Sequence, residues 1–97
     1  MAKRLTRKSF ESWLKEHQDD VFISQSPISC PIARYYSDNG YTMVVVGSRH
    51  RKFIYDGDYS NVVNRGWIKC FIDKFDIAGR HSEVPGSKAL AILEDCK

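Results

Sequence analysis

Trp67, Phe71 and Phe75 recur every fourth residue with Ile68 and Ile72 beside them, so a helix here carries a wide apolar stripe that the rest of the chain must cover. The cover comes in short pieces. Thr6 is placed to cap a first helix; Leu5 and Phe10 occupy the positions of a hydrophobic staple, and Phe10, Trp13, Leu14 and His17 fall on one face. A second helix starts at Ser29, a good capping residue. Pro31 is tolerated in its first turn, where a missing N–H has no partner to lose, and Ile28, Ile32, Tyr35 and Tyr36 share a face before Asn39-Gly40 stops it. Asn64 is placed to cap the Trp67–Phe75 helix, Lys69 and Asp73 form an i, i+4 pair on its outside, and Ala78-Gly79 ends it. After a turn at Val84-Pro85-Gly86, Ser87 caps a last helix that gathers Ala89, Leu90, Ile92, Leu93 and Cys96 on one side.

Between the second and third helices, Tyr41–Val46 and Lys52–Tyr55 are β-branched and aromatic runs around Gly47-Ser48-Arg49-His50-Arg51, which reads as a β-hairpin with a basic tip. Asp56–Asn61 is turn-rich and reads as a loop. Val21–Ile23 fits either a short strand or a buried connection. The pattern predicts one α+β domain over 1–97: about four short helices packed on a hairpin or small antiparallel sheet, with residues 1–5 as a flexible basic tail.

With 97 residues there is room for one core and none for a doubly wound nucleotide-binding sheet or a barrel enzyme. The longest apolar run, Met43–Val46, is far below the roughly 20 residues that cross a bilayer, and no apolar block follows the basic start as in a secretory signal. Cys30, Cys70 and Cys96 are odd in number and in no C-x-x-C pair, the usage of a reducing compartment rather than of a disulfide framework. Cys70 and Cys96 read as edge members of their helices' apolar faces. A cytoplasmic protein that does not enter membranes is the expectation.

Candidate chemistry is thin. Cys30 in a first helical turn faces the positive end of the helix dipole, which favours a thiolate, but no motif places His17, His50 or His81 beside it as a base. A small buried thiol is the simpler reading, and a thiol enzyme centred on Cys30 the lesser alternative. No cysteine or histidine spacing matches a zinc site, the Asp56, Asp58 and Asn61 triplet lacks the glycine position and terminal Glu of a calcium loop, and Gly57, Gly66 and Gly79 are too isolated to cradle phosphate. No metal or cofactor is expected.

Charge offers more. The net charge of +3 is concentrated at the amino terminus and the hairpin tip, and the remainder is mildly acidic. Arg49, His50, Arg51 and Lys52, joined by Lys3, Arg4, Arg7 and Lys8, form one positive surface if the hairpin lies beside the first helix, suited to nucleic acid or an acidic protein. Tyr55 and Tyr59 add faces for stacking. Tyr35 and Tyr36, adjacent on a helix, are not expected both to point inward, so one is a candidate for an exposed protein contact.

Three segments, Cys30-Pro31-Ile32-Ala33-Arg34-Tyr35-Tyr36, Trp67–Asp76 and Ala89–Leu93, resemble in order and spacing a family of short proteins found in phages, cyanobacteria and actinobacteria. The shared patterns are C-P-[LI]-A, then W-x3-F-[IV] ending in Asp, then a short aliphatic helix. That family has no established activity, so the resemblance implies a cytosolic phage or bacterial setting and no catalytic residues. The functional expectation is a non-enzymatic interaction protein of phage or mobile-element type that binds and modulates a host complex, for example as an inhibitor of a nuclease or defence system. The alternative is a small nucleic-acid-binding accessory protein using the basic tip and amino terminus. Self-association fits a core this small.

Overall fold

A computed structural model describes residues 4–79 and 83–96. The elements run α1 (Arg7–Glu16), β1 (Val21–Ile23), α2 (Pro31–Asp38), β2 (Thr42–Val46), β3 (His50–Tyr55), β4 (Asp58–Val63), α3 (Gly66–Gly79), β5 (Glu83–Pro85) and α4 (Gly86–Glu94). The α+β class and its four helices match the pattern in the sequence. The β part is larger than a hairpin: β2, β3 and β4 form an antiparallel meander, and β1 pairs with β5 as a separate two-stranded sheet. Among the described residues, no helix is long and apolar enough to cross a membrane.

The helix starts show where local chemistry was decisive and where packing overrode it. Thr6 caps α1, its Oγ1 accepting from the Ser9 N–H at 3.1 Å while the Ser9 Oγ accepts from the Thr6 N–H at 3.0 Å. Ser29 does not cap α2. The cap position belongs to Cys30, with Pro31 following, and the Ser29 N–H donates instead to Ser26 Oγ. Asn64 does not cap α3 either, and α4 starts one residue before Ser87, with Pro85 in the cap position. Leu5 packs on the core, and the Arg4 carbonyl accepts from the Tyr35 hydroxyl at 2.9 Å, so the described end of the expected basic tail is held. Residues 1–3 lie outside the described residues.

The segment expected as a loop after Tyr55 is the third strand. Asp56 and Gly57 both have positive φ, 52° and 82°, as a two-residue hairpin turn whose twist matches its strands requires. Tyr55 then pairs with Asp58, and the ladder continues to His50 opposite Val63. The neighbouring pairing holds an irregularity: Thr42 faces Ile54, but Val45 faces Lys52, so the register slips by one residue between them. Met43, at φ 51°, is the extra residue of a bulge. The bulge resets the alternation so that Tyr41, Val44 and Val46 all point toward the helices, joined by Arg51, Phe53 and Tyr55 of β3.

Helix α2 lies between α1 and the meander. Phe10 at the centre touches the rings of Trp13, Tyr35, Trp67 and Phe71, with centroids 5.2 to 6.1 Å away, and so ties α1, α2 and α3 together. Helix α4 closes the other side of α1: Arg7 donates from Nε to Cys96 O at 2.8 Å and from Nη2 to Leu93 O at 2.9 Å. Both carbonyls lie at the C-terminal end of α4 or just beyond it, and Leu93 O also accepts from the Cys96 N–H at 2.9 Å. Cys96 is fully buried and forms a disulfide with Cys70 of α3, with Cα atoms 5.9 Å apart. This corrects the reading of three unpaired thiols. An odd count hides a pair when the remaining cysteine, here Cys30, is buried and apart from the other two.

Candidate functional site

The structure divides the expected basic surface. Arg49, His50 and Lys52 are exposed around the β2–β3 connection, but Arg51 turns to the opposite face of β3. There it donates from Nε to the Tyr36 hydroxyl at 3.0 Å and from Nη1 to Asn64 Oδ1 at 3.0 Å. Asn64, 4% exposed, completes the joint by donating from Nδ2 to Gly47 O at 2.8 Å and from its N–H to Arg49 O at 2.8 Å. Arg51 and Asn64 thus hold the hairpin tip to the start of α3. Period-two spacing was the missed signal: Arg51 shares parity with Phe53 and Tyr55, the inward side chains.

The amino-terminal cations do not join the tip. Arg7 is committed to α4 and pairs with Glu11 at 3.8 Å, and Lys8 is exposed on α1. Arg4 lies close enough to Tyr41 for its charge to act on that phenol, and Tyr41 precedes β2, at the end of the strand remote from the tip. A five-residue strand, roughly 17 Å long at its usual rise, separates the two groups. Lys3 lies outside the described residues.

The tyrosine expectation also changes. Tyr35 and Tyr36 are both buried, 1% and 3% exposed, because α2 has structure on both flanks. Tyr35 packs toward α1, its hydroxyl 2.9 Å from Ser9 Oγ, whereas Tyr36 stacks on Phe53 of the sheet at 4.7 Å between centroids. Neither is an exposed contact. Tyr55 is half-buried against Tyr41 at 5.0 Å, so of the four tyrosines only Tyr59, 63% exposed, presents its ring to solvent.

Tyr59 belongs to a surface that the sequence did not reveal. The register places Thr42, Ile54 and Tyr59 in one row, Val45, Lys52 and Asn61 in the next, and His50 beside Val63 in the third, all on the face of the meander turned away from the helices. Val45, Tyr59 and Val63 are exposed, and Met43, 76% exposed, protrudes from the bulge. One face of an antiparallel sheet is commonly solvated, but it is then polar; here exposed apolar side chains share it with Lys52 and His50.

Cys30 does not have the environment of a nucleophile. The Ile32 and Ala33 amides at the start of α2 lower its pKa, but burial outweighs them and Asp76 opposes them further, so the thiol is pushed up to about 11. His17 is occupied elsewhere, stacked on Trp13 at 4.1 Å and 3.6 Å from Asp38 Oδ2, while His50 is on the outer sheet face and His81 lies outside the described residues. At pH 8, Cys30 in the native protein is expected to react with iodoacetamide about 100-fold more slowly than in urea, from the ratio of thiolate fractions. Because the native pKa lies above the unfolded one, this group favours the fold below pH 9 and that contribution fades as pH rises toward 11. Equal labelling rates in the two states would restore the nucleophile reading. Among the described residues, no group of three His, Cys, Asp or Glu side chains is placed to hold a metal. Comparison with known proteins found no matching family model, no matching curated protein and no matching solved structure.

Proposed function

We infer that this chain is a non-enzymatic interaction protein that docks a protein partner on the outer face of the β2–β3–β4 meander. The observation carrying this reading is the exposed apolar set Met43, Val45, Tyr59 and Val63 on a three-stranded platform bulged at Met43. Its composition, with an aromatic ring and a methionine in the apolar part and Arg49, His50 and Lys52 near one end, matches a protein interface with a polar rim. The cations make an apolar surface with an acidic border the complementary partner. Nucleic acid is served less well, since Arg51 and Arg7 bond within the fold and Arg4 is at the far end of β2. A phage or mobile-element setting, with a host nuclease or defence assembly as the target and inhibition as the outcome, rests on the resemblance of the Cys30–Tyr36, Trp67–Asp76 and Ala89–Leu93 segments.

The test is an affinity pull-down from bacterial lysate with nuclease treatment, comparing the native chain with a Val45→Asp, Tyr59→Asp double variant. Retention of a defined protein band that falls at least tenfold in the variant is the expected result. Circular dichroism verifies that the variant stays folded. Capture that disappears with nuclease, or that is equal for both proteins, would overturn it.

A further inference from the structure

β4 is an edge of its sheet: β3 pairs with one side of it, and among the described residues no strand pairs with the other. Two observations fix which residues face the open side. The Asn64 N–H donates to Arg49 O at 2.8 Å, and Tyr55 pairs with Asp58 across the two-residue turn. Bonded pairs recur at every second residue of an antiparallel ladder, so Asp58, Ser60 and Val62 turn their N–H and C=O groups to β3, and Tyr59, Asn61 and Val63 turn theirs outward. Of these outward groups the Val63 carbonyl alone, among the described residues, meets a donor of the chain, Arg51 Nη1 at 3.5 Å, and it keeps a second lone pair.

The two edges of the meander differ in protection. Proteins usually block a strand edge with a bulge, a lysine, a proline or a covering segment. β2 has the bulge at Met43 and a cover, since the Val46 N–H donates to Pro27 O at 2.8 Å. β4 has none of these: Asp58–Val63 contains no Lys, Arg or Pro and pairs with β3 without a shift of register. It is also self-complementary. Set antiparallel to itself about Asn61, the strand puts Tyr59 opposite Val63 of the second copy, an aromatic ring on a β-branched side chain, and Asn61 opposite Asn61. All of these are residues whose backbone groups face outward, as a bonded pairing requires. The same register brings the Asp56–Asp58 end of each strand to the exposed Arg65 that follows the other, so unlike charges meet at both ends.

We propose that β4 pairs with β4 of a second copy of this chain, antiparallel about Asn61, and joins two meanders into one six-stranded sheet. With β2 blocked, each copy has one open edge, so the assembly closes as a two-fold dimer instead of growing. The pairing goes beyond the docking reading: it uses the backbone of the strand edge, needs no other partner, and sets the outer faces of two meanders side by side.

The test is sedimentation velocity of the purified whole chain over a concentration series with no other macromolecule present, so its outcome is separate from that of the pull-down. A reversible monomer–dimer equilibrium is expected. Asn61→Lys, at an exposed position, sets two ammonium groups opposite each other on the two-fold axis and should weaken the dimer at least tenfold. Asn61→Pro, which removes one outward N–H and leaves the bonds to β3 in place, should do the same. Asn61→Asp chains mixed with Asn61→Lys chains should pair at least tenfold more tightly than Asn61→Lys chains pair with themselves, a rescue specific to the register that puts residue 61 opposite itself. Circular dichroism verifies that the variants stay folded. A native chain that is monomeric up to about 1 mM, a series of higher oligomers, a dimer unaffected by Asn61→Lys or Asn61→Pro, or mixed chains no tighter than Asn61→Lys alone would each overturn the proposal.

Discussion

Replacing Phe10 by Ala is expected to lower the unfolding free energy by about 4 kcal/mol, in the middle of the range for deleting a buried aromatic side chain. Phe10 is fully buried and meets rings from three helices, so its removal leaves a void that no single neighbour can fill by changing rotamer. A domain of this size has only about 5 to 15 kcal/mol of stability, and the variant would hold a measurable unfolded fraction in mild urea. Urea titration followed by circular dichroism gives the number. A loss below about 1 kcal/mol would show that Phe10 is not the joint between α1, α2 and α3.

Reduction of the Cys70–Cys96 disulfide is expected to cost about 3.5 kcal/mol on chain-entropy grounds, given that the bridge closes a loop with a sequence separation of 26. The bridge joins α3 to Cys96, just after α4, whose own carbonyl is one of the two that Arg7 binds, the other being that of Leu93 in the last turn of α4. Loss of the bridge therefore loosens the α1 contact as well as the α3 contact. Urea titrations with and without a phosphine reductant, repeated with the Cys70→Ser, Cys96→Ser double variant, measure it. Coincident midpoints in oxidised and reduced protein would exclude a stabilising role. Mass spectrometry of the unreduced chain should find Cys30 as the free thiol and the other two joined.

These two predictions differ in how visible their origins are in the sequence. Phe10 was legible, because a capped start, a staple position and helical spacing all agree on its burial; apolar spacing alone located α2, α3 and α4 to within a turn, although their expected caps were not the observed ones. The disulfide was not, since the two cysteines are brought together by the packing of α3 against α4 and no local spacing encodes that. β4 carried an Asp-Gly hairpin signal at residues 56 and 57, but its polar Tyr59-Ser60-Asn61 stretch masked the alternation. β1 and β5, three residues each, pair across a long separation and have too few positions to show a period. The site fared worse than the fold. Arg51 and Arg7 looked like free surface cations because a one-dimensional reading sees charge and not direction. The apolar outer face was hidden because a single bulge at Met43 inverts the side on which its neighbours emerge.

The packing of α1 on α4 bears on the route by which the chain reaches this structure. The meander joins strands that are adjacent in sequence through tight turns, so its loops close at small entropic cost. Arg7 and its acceptors are 86 and 89 positions apart, and the pocket around Phe10 is complete only when α3 has also arrived. The meander is therefore the local module, and the helical half depends on contacts between the two ends of the described chain, so the helical half is expected to close after the meander.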